Sequence, residues 1–145
     1  METDYRFERV MKLADHEKQN LEIEYKQLYE QFDQIAHRLI DLVDQKESIQ
    51  MDIQKKMVQA MRVDQMTMKF ADINKLEILI EETRKYFLSL KERLEVLQTK
   101  LQEKTIEVKK YKKLKARRQS FERKQRMRDE MKKMDDIAGR RAANR

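Results

Sequence analysis

Cut every seven residues, positions 7–53 read FERVMKL, ADHEKQN, LEIEYKQ, LYEQFDQ, IAHRLID, LVDQKES and IQMDI. The first letter of every block is apolar: Phe7, Ala14, Leu21, Leu28, Ile35, Leu42 and Ile49. The fifth letters are Met11, Lys18, Tyr25, Phe32, Leu39, Lys46 and Ile53, apolar apart from two lysines. Spacings of four and three put both columns on one narrow stripe of a helix. A stripe held this long is the pattern of a coiled coil, not of an ordinary amphipathic surface helix.

A second block keeps the same period. Ile73, Ile80, Phe87, Leu94, Leu101 and Val108 form one column, and Leu76, Thr83, Leu90, Leu97, Lys104 and Tyr111 form the other. Between the blocks, residues 56–66 (KMVQAMRVDQM) lose the phase. Asp64 suits the first turn of a new helix, where a carboxylate meets the positive end of the dipole. No Gly or Pro marks a turn there, so phase alone locates the break.

Folding the chain about residue 61 opposes residues whose numbers add to about 122, with each helical turn recurring every ~3.6 residues. Both columns then meet apolar partners: Ile49 with Ile73, Leu42 with Ile80, Ile35 with Phe87, Leu28 with Leu94, Leu21 with Leu101 and Ala14 with Val108. A slip of seven residues would align the columns too, but would move the tip away from the phase break. One layer is poor, because Lys18 opposes Lys104 and both ammonium groups must reach outward. The predicted fold is all-α, a long antiparallel two-helix coiled-coil hairpin with a protruding basic C-terminal helix. Its expected parts are a first helix over 1–58, a tip at 59–63, a second helix over 64–140 unpaired beyond about 121, and a tail at 141–145. The arm of such a hairpin, ~57 residues at 1.5 Å each, runs ~85 Å. The competing arrangement is one unbroken helix in a parallel homodimer. The phase break and the matching columns favour the hairpin.

Composition supports a helical chain. The 145 residues contain one Gly, no Pro, no Cys and no Trp, and 42% are charged. Turn residues are too scarce for a sheet or a solenoid, and Glu, Lys, Gln, Leu, Met and Arg are strong helix formers. Charge in nearly every turn leaves only a seam to bury. The lack of Cys removes disulfides and thiolate metal sites and fits a reducing cytoplasm. No apolar run approaches the ~18–20 residues that span a bilayer, and the acidic start METDY lacks a signal-peptide layout. The expected location is cytoplasmic or peripheral to a membrane.

Catalysis needs groups converging in a concave pocket, which a two-helix coiled coil does not offer. His16 and His37 lie off the seam and read as solvated surface residues. Glu81-Glu82 and Asp135-Asp136 read as solvated faces before metal ligands. There is no Gly-rich phosphate loop. No enzyme activity, cofactor or metal is expected.

Charge is unevenly placed. Residues 1–60 hold 9 Lys/Arg against 13 Asp/Glu, residues 61–108 hold 9 against 9, and residues 109–145 hold 16 against 5. The excess at the C-terminus points to an acidic partner or a membrane surface. Its densest run, KKYKKLKARR at 109–118, is a solvated helix face or a binding face. Nucleic acid is disfavoured, since Tyr111 and Phe121 make no base-stacking pattern. Met127, Met131, Met134 and Ala138 keep an apolar stripe that has no intramolecular partner in the hairpin. It is either a frayed end or a docking helix. Mid-hairpin, Leu79 and Tyr86 lie on a flank usually occupied by charge, which either widens the core or makes a groove.

Three stretches, YRFERVMKL at 5–13, EKTIEVKKYKKL at 103–114 and MDDIA at 134–138, resemble the flagellar export protein family FliJ. The resemblance covers nearly the whole chain. It implies a soluble component of the flagellar type III export apparatus, a two-helix stalk similar to the γ subunit of rotary ATPases. It implies insertion into the hexameric ring of the export ATPase FliI, contact with the export-gate membrane protein FlhA, and a link to export chaperones. Membrane association would come only through partners, and the chain would be a monomer. The ring-facing residues implied are Lys109, Lys110, Lys112, Lys113, Arg117, Arg118, Arg126, Met127, Met131 and Met134. The gate-facing residues implied are Arg38, Leu42, Gln45, Ile49, Asp72, Leu76, Leu79 and Thr83.

Overall fold

The computed structural model describes residues 2–60 and 62–144, with side chains from Tyr5 onward. Two helices account for it, α1 at Glu2–Met57 and α2 at Val63–Ala143, and no strand occurs among the described residues. Met61, the predicted pivot, lies outside the described residues. Lys55 and Lys56 close α1 and Asp64 opens α2, each charge set against the dipole end it stabilises. Between them Ala60 adopts φ 59°, the left-handed region a chain reversal often needs and that Gly occupies with least strain. The chain divides into two compact units, Met1–Lys18 with Gln102–Arg145, and Gln19–Leu101.

In the unit formed by Gln19–Leu101 the two helices run antiparallel and bury their predicted columns. Leu42, Ile53, Ile73, Leu90, Leu94 and Leu97 are buried, and Leu90 has 0% exposure. Leu21, Tyr25, Leu28, Phe32, Ile35, Leu39, Ile49, Leu76, Ile80, Phe87 and Leu101 are half-buried. Phe32 stacks on Phe87 with ring centroids 4.8 Å apart, a distance at which aromatic pairs attract. Lys46 reaches Glu77 at 3.3 Å, and Lys69 donates to Asp52, which also holds Lys56 at 3.6 Å.

The other unit pairs the start of α1 with the corresponding part of α2. Ala14 and Val108 are its buried residues, and Phe7 meets Tyr111 edge to face at 5.8 Å. Lys115 reaches Glu8 at 3.5 Å. Lys104 sits in the seam at 22% side-chain exposure, with its ammonium 2.5 Å from Glu17 and 3.0 Å from Glu107. The expected outward reach of this lysine is therefore met by carboxylates rather than by water.

In the cross-helix ion pairs Lys46–Glu77, Lys69–Asp52, Lys104–Glu17 and Lys115–Glu8 the two residue numbers add to within one of 122. The ring pairs fall three to four lower, one turn along the same seam. A seven-residue slip would miss every one of these pairs.

Candidate functional site: two protein-binding surfaces

The ring-facing set lies on α2 in the unit that contains the chain's two ends. Lys109, Lys110, Lys112, Lys113, Arg117, Arg118, Arg126, Met127, Met131 and Met134 are all exposed. From Ala116 to Asn144 no described residue is even half-buried, yet the helix continues to Ala143. Local propensity sustains it. The segment is rich in Arg, Lys, Gln and Met, and its single Gly, Gly139, has open space where a Cβ would stand. Steps of four, three and four keep Met127, Met131, Met134 and Ala138 on one strip of this helix, with Arg118, Asp129, Lys132 and Asp136 on the opposite side. Chemically this is a cationic helix with an adaptable apolar edge, fitted to an acidic groove. Arg126 lies 4.0 Å from Glu122, a loose surface pair.

The gate-facing set lies in the unit Gln19–Leu101 and divides by depth. Leu42 is buried, and Ile49, Leu76 and Thr83 are half-buried seam residues. Arg38, Gln45, Asp72 and Leu79 are exposed beside them, as is Tyr86. Heptad spacing sets these five on the same flank of the paired helices. This flank presents an apolar edge at Leu79 and Tyr86 framed by the cation Arg38 and the carboxylate Asp72.

Sequence reasoning missed two features. The first is the set of carboxylates that meet the seam lysines. Glu17, Asp52 and Glu77 each adjoin the residue facing a seam lysine, and that adjacency was the available signal. Glu17 and then Glu107 raise the Lys104 pKa above its ordinary value, while Lys69 is the main cause that lowers the Asp52 pKa. The second is the apolar exposure at the turn, where Val58 and Val63 stand largely uncovered. His37 is exposed and accepts no seam role; its Nδ1 lies 2.7 Å from the Asp33 carbonyl oxygen, which with the Asp33 carboxylate raises its pKa.

An open groove of about 600 Å³ is lined by Gln27, Leu28, Gln31, Ser89, Arg93 and Val96 among others and contains neither His nor Cys. No cluster of three metal-binding side chains occurs among the described residues, and no helix there is long and apolar enough to cross a membrane.

The flagellar FliJ protein family matches residues 3–145. A relative from Bacillus subtilis (strain 168), the flagellar FliJ protein, is 28% identical over 138 residues, covering 95% of this chain and 94% of its own. No solved structure matches the chain. The antiparallel pair, its seam lysines and its exposed basic helix are thus the form taken here by a chain that belongs to the flagellar FliJ family.

Proposed function

We propose that this chain is a stalk-like component of the flagellar type III protein export apparatus, without catalysis of its own. Its basic helix enters the ring of the export ATPase FliI and promotes assembly and activity there. The Leu79–Tyr86 flank engages the export gate FlhA, so that the chain couples the two at the cytoplasmic face of the membrane. Family membership supports the flagellar context. The observation that supports the ring assignment is the 116–143 stretch, helical, exposed along its length and positively charged. A ring subunit can read such a helix through carboxylates and an apolar slot at once.

The test is ATP hydrolysis by the cognate ATPase with and without this protein. Stimulation at stoichiometric amounts is expected, and its absence counts against the reading. Truncation after residue 121 should leave the paired helices folded while abolishing stimulation. Leu79→Asp should leave stimulation intact and weaken capture of the gate protein. Loss of both functions together would show that the two surfaces are not separate.

A further inference from the structure

The turn joining α1 to α2 exposes more apolar surface than its surroundings. Val58 is 88% exposed and Val63 78%, and Met51, Met57, Met68 and Phe70 are exposed as well. Of residues 51–70, 10 are apolar; Ile53 is buried and Met66 half-buried, and the six named above stay exposed. Contiguous apolar exposure of this kind marks a contact surface.

Its layout says what kind. A protein groove that receives a helix needs anchors on one face, at spacings of three and four. Here Met51 and Met57 project about 120° apart around α1, and Val63 and Met68 about 140° apart around α2. Val58 stands in the turn itself. The apolar groups therefore surround the end of the pair instead of lining one side. A medium that wraps an object from all directions matches this, and a groove does not.

Charge narrows the choice further. Lys55, Lys56, Arg62 and Lys69 stand against Asp52 and Asp64 in the same 20 residues, and no carboxylate falls between Asp52 and Asp64. Asp52 is already shared by Lys56 and Lys69. Long cationic side chains next to buried apolar ones are the arrangement that snorkels to lipid headgroups.

We propose that the α1–α2 turn is a membrane-interface anchor that inserts Val58, Val63 and the neighbouring methionines among anionic lipids. This contact is direct and does not depend on the export reading. Binding is weak and reversible, of the order of a single acyl chain, about 10⁴ M⁻¹.

The chain lacks Trp, so Val58→Trp in the full-length protein supplies a unique reporter. Added phosphatidylcholine vesicles with roughly 30% phosphatidylglycerol should shift its emission to the blue and expose it to bromolipid quenching. Pure phosphatidylcholine should give a several-fold smaller response. The double variant V58D/V63D, both positions being exposed, should keep its helical circular dichroism and lose several-fold in vesicle co-flotation. The idea fails if no vesicle shifts the reporter, or if neutral and anionic vesicles act alike. It also fails if V58D/V63D floats as well as the parent while Met131→Trp reports insertion, since the basic tail would then be the lipid contact. A blue shift that grows with protein concentration without lipid would assign the turn to a second copy and overturn the proposal. ATPase stimulation should be unchanged in V58D/V63D, which separates this test from that of the ring assignment.

Discussion

Lys104 of α2 lies in the seam and reaches Glu17 of α1 at 2.5 Å, so a residue that interrupts the apolar column also links the two helices. Its second carboxylate, Glu107 at 3.0 Å, comes from its own helix. A polar residue at a seam position fixes register at a cost in stability, because the alternative registers leave its charge against apolar side chains.

Lys104→Leu should therefore raise the melting temperature, since an apolar contact replaces a solvent-screened ion pair. The gain should come with looser register, read as mixed products when cysteine pairs are cross-linked along the seam. A lower melting temperature would show that the ion pair outweighs the packing it displaces.

The same lysine, with Asp52, sets the pH limits. Glu17 holds the Lys104 pKa above its ordinary 10.5, so its contribution is whole below that value and is lost as pH rises through the folded pKa. Lys69 holds the Asp52 pKa below its ordinary 3.8, so its contribution is present above that value and is lost as pH falls through the folded pKa. Thermal melts should fall beyond both limits, with a smaller loss between them as pH rises through the raised His37 pKa. Glu17→Gln should remove part of the alkaline loss, and Lys69→Met part of the acid loss.

Leu90 has no exposed surface, and Leu88, two residues away, is largely exposed. Leu90→Ala should cost about 3 kcal/mol by transfer and cavity terms, while Leu88→Ala should cost little. Urea unfolding of the two variants measures both. Equal losses would mean that the seam runs on a different face.

Ala60 holds a left-handed φ of 59° without being Gly. Ala60→Gly should stabilise the protein by about 1 kcal/mol, the strain relieved exceeding the added freedom of the unfolded chain. In the exposed helix the sign reverses for the other small residue. Gly139→Ala meets open space and should raise local helicity, by about 1 kcal/mol, seen as slower amide exchange in the last turns.

Leu28→Cys with Leu94→Cys tests the pairing itself in a chain that has no other cysteine. Oxidation or a short thiol cross-linker should close a loop within one molecule and leave its mass unchanged on denaturing gels. Chain-to-chain products alone would belong to a homodimer.

The period and the seam are legible in the letters alone, and the cross-helix ion pairs of the folded chain select the register among seven-residue slips. Seven-residue spacing is a property of one backbone, and every residue of the two predicted columns, lysines included, is buried or half-buried. The resemblance carried by YRFERVMKL, EKTIEVKKYKKL and MDDIA agrees with the family match. Only the tertiary structure decided where the seam lysines send their charge, because Glu17 and Lys104 are 87 residues apart and meet through side-chain reach across two helices. It also decided that Ala60 takes the strained turn and that Val58 and Val63 are left uncovered. Periodicity fixes which face a helix buries; what lies beyond that face is set by the neighbour that arrives there, or by its absence.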